Sequence, residues 1–226
     1  MSAVRVVPHG VYSTIFGVVY LGLMTNALLL VGCLPLVVLL VATDPAHSWP
    51  LIAVAVALCA PTLAAAYTVF RGNAAGETSV IRLFLRGWRE VWRRSLVLGG
   101  LVSLAVTVIL VDVRFFSASP WAVVVIPVFA VLAVISVSVG VVGLVAVAEE
   151  PHARVLTVVR VSAYFLARRW YLTVVSLVVL VAQVVLFTSL PAIAIGITAA
   201  PALYLVWANS RYTLRPALHT QDVAVA

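Results

Sequence analysis

Ionisable and thiol side chains are where chemistry would start, and this chain has few of them. Its seven acidic residues are Asp44, Glu77, Glu90, Asp112, Glu149, Glu150 and Asp222. Two facing carboxylates could share acid and base work, and a carboxylate inside an apolar run would mark a proton or ion path. Neither pattern occurs, because all seven stand in connecting segments or at the ends of apolar runs. His9, His47, His152 and His219 are scattered, with no HExxH and no paired-ligand spacing, so no metal centre is expected. GxSxG, Walker A and GxGxxG are also missing. Cys33 and Cys59 have neither CxxC nor zinc spacing. They read as small apolar residues at similar depth in neighbouring spans, a placement that permits a pair. The expectation is a non-enzymatic chain with no catalytic residue and no cofactor.

Uncharged polar groups inside the apolar runs carry more information. Asn26 and Gln183 each bring an amide into a hydrocarbon setting, where interhelical hydrogen bonds are worth about 0.6–2 kcal/mol. Two readings are open for them, structural glue and contact with a substrate. Pro35, Pro61 and Pro201 also lie within apolar runs and free carbonyls that neighbours or a cavity must satisfy. Glu149-Glu150-Pro151 reads as a solvated helix end stopped by proline. Contact with arginines of the next helix, or with a partner, is the other reading. Trp49, Trp121, Trp170, Tyr171, Trp207 and Tyr212 stand near the ends of apolar runs, as an aromatic belt would.

These groups need elements to hold them, and composition says which kind. Hydrophobic residues make up 65% of the 226 and charged residues only 9%, with mean hydropathy +1.22. A soluble domain usually carries about 25% charged residues, so the chain is read as an all-α polytopic membrane protein. Six apolar runs meet the requirement of about 20 residues per crossing: roughly 18–42, 51–70, 96–112, 121–148, 171–190 and 192–210. Together they predict one six-transmembrane helical bundle, a single membrane domain over 1–226.

The basic residues orient it. All fourteen are arginine. Arg5, the cluster between spans two and three, the cluster between spans four and five, and Arg211 and Arg215 share one side in a six-span reading. Arg114 alone falls on the other side. Positive-inside bias makes the rich side cytoplasmic, with both termini there. The expected location is the bacterial cytoplasmic membrane. The absence of lysine, with abundant Ala and Val, points to a GC-rich genome. The +7 charge is then accounted for by orientation and anionic headgroups, and nucleic acid is not an expected partner.

Two arginine-bearing connections, 79–95 and 152–170, predict one or two cytoplasmic interfacial amphipathic helices. In the first, Ile81, Phe84, Leu85, Trp88 and Trp92 recur at helical spacing. Arg82, Arg86, Arg89 and Arg93 recur on another face. Thr78 or Ser79 is the expected cap. A stabilising interfacial helix and a docking surface for a partner or lipid headgroups are both compatible with this pattern. Trp92-Arg93-Arg94-Ser95 also superposes on Ala167-Arg168-Arg169-Trp170 at one constant offset, which suggests a duplicated span–helix–span unit related by an axis along the membrane normal.

Asn26 through Pro35, Ala60-Pro61-Thr62-Leu63-Ala64-Ala65-Ala66-Tyr67, Phe70-Arg71, and Phe84 followed by Trp88 and Trp92 resemble the YesL-like family of small bacterial membrane proteins (domain of unknown function 624). Leu34-Pro35 matches the family's Leu-Pro, Pro61-Thr62-Leu63-Ala64 its second motif, and Phe84 its Phe. The fuller outer turn and Cys59-Ala60 before Pro61 resemble the high-GC Gram-positive branch. The resemblance implies, by association, an accessory role in carbohydrate import beside ABC sugar-importer subunits. An independent small-solute or lipid transporter is the alternative. The permease itself is not expected, because Glu149-Glu150-Pro151-His152-Ala153 lacks an EAA-type docking pattern.

Overall fold

The structure is a computed structural model. It describes residues 9–152 and 154–225, with side chains except those of 9–15, 165, 167 and 215–225. Arg5 lies outside the described residues, as do the side chains of His9, Arg215 and His219. Among the described residues the regular structure is entirely helical: α1 His9–Gly32, α2 Leu34–Ala42, α3 Pro45–Ala74, α4 Val80–Phe116, α5 Ala122–Glu149, α6 Val155–Arg168, α7 Trp170–Ser189, α8 Pro191–Ile193 and α9 Ala199–Val225. A π turn, Ala194–Thr198, joins α8 to α9.

Helices α3, α4, α5, α7 and the stretch Pro191–Leu214 are each long and apolar enough to cross a membrane. The pair Phe16–Gly32 and Leu34–Ala42 makes a sixth crossing when counted as one bent span. The continuous run 18–42 is therefore divided by a bend of 69°. Pro35 explains the division. It sits in the first turn of α2, where it has no N–H to give the carbonyl of Val31, and Cys33 leaves helical geometry at φ −100°, ψ 10°.

Asp44 starts α3 by accepting from the Ala46 amide at 2.9 Å, with Pro45 at the first helical position. The other end turns into α4 through Gly76, whose φ of 91° favours a residue without a Cβ. Ser79 occupies the N-cap of α4, but its hydroxyl makes no capping bond, contrary to expectation.

The amphipathic segment 79–95 and the third span are one helix. At 37 residues α4 is about 55 Å long, against about 30 Å of hydrocarbon. Leu83, Phe84, Gly87, Val91, Ser95 and Leu98 form one buried stripe along it. That stripe carries the packing across the place where a separate interfacial helix would end. The corresponding join between α6 and α7 does break. Arg169 stands there at φ −126°, ψ 44°, and its guanidinium reaches the Tyr212 carbonyl at 2.9 Å and the Tyr212 ring at 4.9 Å. The two candidate repeats thus differ at the junction whose sequences superpose best.

The core lies where α3, α4, α5 and α9 meet, with Tyr67, Phe70, Val91, Val145 and Val206 fully buried. Helices α3 and α4 approach closely at two glycines. A Cβ on Gly87 would overlap the Thr68 hydroxyl, and one on Gly99 would overlap Ala60. Gly99 also covers the carbonyl of Ala57, which Pro61 leaves without its helical donor.

Candidate functional site

Three polar centres are built on this frame. The first is inside the bundle. A π turn disturbs the i→i+4 ladder, and Pro201 has no N–H to offer the carbonyl of Gly196 in the π register. Asn26, 2% exposed on α1, fills that gap. Its Nδ2 donates to the Gly196 carbonyl at 2.9 Å and its Oδ1 accepts from the Ala200 amide at 2.6 Å. One carboxamide thus stands where the α-helical bond between those two groups would have been. From α7, Gln183 Nε2 donates to the Ala194 carbonyl at 2.7 Å, and its Oε1 accepts from the Thr198 hydroxyl at 2.9 Å. The structure therefore brings Asn26 and Gln183 to the same turn, where their hydrogen bonds hold backbone.

The second centre closes the arginine-rich end. Arg71 Nη1 donates to the carbonyls of Ala148 and Glu149, the latter at 2.9 Å, at the last turn of α5. A cation suits that position because a helix C-terminus carries partial negative charge. The Glu149 side chain is only 7% exposed. Its Oε1 accepts from Trp207 Nε1 at 2.9 Å, and its Oε2 lies 3.7 Å from Arg211 Nε. Arg211 also covers the Trp207 ring at 5.2 Å. Phe70, Tyr204 and Trp207 stack edge and tilt beneath this cluster. The expectation of a solvated end at Glu149 is thereby corrected: the carboxylate ties α5 to α9 because an indole N–H and a guanidinium meet it inside the bundle. Trp207, placed by its sequence position in an aromatic belt, is buried here instead. The one signal for it in the sequence is an acid directly at a span end on the side that holds most of the arginines.

The third centre is the outer face of α4. Arg82, Arg86, Arg89 and Arg93 are all exposed, and Trp88 and Trp92 are 42% and 40% exposed. Arg86 meets Glu77 at 3.3 Å and Arg93 lies 5.3 Å from the Trp92 ring. Arg82 and Arg89 make no ion pair among the described residues. Phe84 departs from this group, since it is buried on the opposite stripe and anchors α4 to the core. Arg94 also turns inward, with its Nη1 buried. Pro35 is exposed beside the bend and Pro61 is buried in α3.

Cys33 and Cys59, both free thiols, come near each other beside the bend. Among the described residues no group of three or more His, Cys, Asp or Glu could hold a metal ion.

These features define a multi-pass helical membrane protein with a buried polar lock at one end. Within that class, residues 21–113 match the family model DUF624, described as a protein of unknown function. The matched stretch holds Asn26, Pro35, Pro61, Arg71, Phe84 and the arginine face of α4; it ends before Glu149, Gln183 and Trp207. No curated protein and no solved structure matches the chain.

Proposed function

We propose that this chain is a non-enzymatic accessory protein of the bacterial cytoplasmic membrane, with both termini in the cytoplasm. It docks a partner through the exposed face of α4. The observation that carries this reading is the division of labour along one helix. Leu83, Phe84, Gly87 and Val91 hold α4 to the bundle, while Arg82, Arg86, Arg89, Arg93, Trp88 and Trp92 remain exposed. Arginine beside an exposed indole is the chemistry of a protein contact or an anionic headgroup layer. The YesL-like resemblance supplies the partner class, subunits of a carbohydrate ABC importer.

Co-purification tests it. Full-length protein, tagged and extracted in mild detergent from its native host, should bring importer subunits with it. Replacing the four arginines by Gln should remove them while the helical circular-dichroism spectrum stays unchanged. Retention of the same subunits by the quadruple variant would count against the docking face. A second reading, an independent small-solute or lipid transporter, is favoured by an apolar groove of about 980 Å³ between α3, α4 and α5. Unaided movement of sugar or lipid by the purified protein in liposomes would shift the weight to it.

A further inference from the structure

The groove between α3, α4 and α5 is distinct from the three polar centres. It begins at the end of α4 opposite the arginine cluster, with Trp49 and Arg114 at its mouth, and stops against the buried Leu98 and Leu144. Between Arg114 and Leu98 it follows α4 for about 24 Å, more than the roughly 15 Å of one leaflet's hydrocarbon. Ala53, Ala60, Gly99 and Gly140 are among the small residues that line it on the three helices. The Ser103 hydroxyl in its wall donates to the Ala53 carbonyl at 2.7 Å and so adds little polarity. The groove is blind at one end, apolar along its length, and charged at one point only.

That point is Arg114, exposed and without an ion pair among the described residues. The acidic groups near this end are placed elsewhere. Asp112 is two residues earlier on α4, which puts it on the far side of the helix. Asp44 is engaged by the Ala46 amide and by His47 Nδ1 at 3.1 Å. A ligand complementary to this site has a long apolar body and a single negative end. We propose that the groove is a site for a phospholipid with a net-negative headgroup, its phosphate beside Arg114 and Trp49 and one acyl chain lying between α3, α4 and α5. The proposal rests on neither the docking nor the transport reading.

Trp49 at the mouth makes the site measurable. The full-length protein is placed in phosphatidylcholine vesicles containing a minor fraction of phosphatidylglycerol, with brominated chains on one lipid or the other. Subtracting the Trp49→Phe signal isolates quenching at the mouth. Brominated phosphatidylglycerol should quench about fivefold more effectively per molecule than brominated phosphatidylcholine, the effect of one arginine near an anionic headgroup. Arg114→Gln, at an exposed position, should bring the two lipids to parity. Thr107→Phe, which fills the groove, should lower quenching by both. Equal quenching of the wild type by the two lipids overturns the headgroup selection. No quenching of Trp49 by either overturns lipid occupancy.

Discussion

Asn26 on α1 and Gln183 on α7 hold the same π turn. Asn26 bridges the Gly196 carbonyl and the Ala200 amide, and Gln183 bridges the Ala194 carbonyl and the Thr198 hydroxyl. Helices α1 and α7 are thereby tied to the last span through its one irregular turn. The lone prolyl nitrogen of Pro201 and the two amides form one arrangement, since the first removes a donor that the others replace.

Asn26→Ala should therefore cost more than a usual interhelical hydrogen bond. It removes the side-chain partner of the buried Ala200 amide and of the partly buried Gly196 carbonyl, and about 1–3 kcal/mol is expected. Gln183→Ala should cost about 0.5–2 kcal/mol, because Ala194 keeps the Thr198 hydroxyl at 3.2 Å. The double variant should be non-additive, since both act on one turn. Reversible unfolding in mixed micelles measures all three. An Asn26→Ala protein within a few tenths of wild type would refute the bridging role.

At the arginine-rich end, Glu149→Ala should destabilise by about 1–3 kcal/mol, because the Trp207 N–H and the Arg211 guanidinium lose a shared acceptor. Trp207→Phe keeps the aromatic packing on Phe70 and should cost less. Thermal melting in detergent ranks them, and the reverse order would mean that ring packing, not the carboxylate, closes this end.

Gly87→Val and Gly99→Val should each destabilise by about 1–3 kcal/mol through overpacking between α3 and α4. At Gly100 a methyl group would meet nothing within 4 Å, so Gly100→Ala should be neutral or slightly stabilising. Equal melting temperatures for Gly99→Val and Gly100→Ala would contradict the close approach.

The thiols of Cys33 and Cys59 should be joined by mild copper-catalysed oxidation in membranes, with both free thiols lost and no dimer formed. Cys59→Ala should leave Cys33 reactive toward maleimide after the same treatment. Dimer formation by the wild type would show that the two residues face outward rather than each other.

Much of the helical plan was legible because it is written in long apolar runs and in arginine spacing. The runs locate α3, α5 and α7, and the 3.6-residue period marks the faces of α4. Partners were harder to read. Asn26 and Gln183 stood out as polar groups in hydrocarbon, but their shared turn depends on how α1 and α7 come to flank the last span, which no local pattern encodes. Glu149 looked like a solvated end because Pro151 follows it. Its burial depends on Trp207 and Arg211, far along the chain. The bend at Cys33 was hidden by an uninterrupted apolar run, although Pro35 supplied its physical cause. Phe84 was grouped with the exposed aromatics because the apolar positions of α4 wrap more than one face.

The absence of a joint in α4 gives the helix one tilt, not two. The arginines at its start and Arg114 near its finish belong to a single rod about 55 Å long, in close contact with α3 around Gly99. The exposed arginine face and the mouth of the groove are therefore carried by one uninterrupted element.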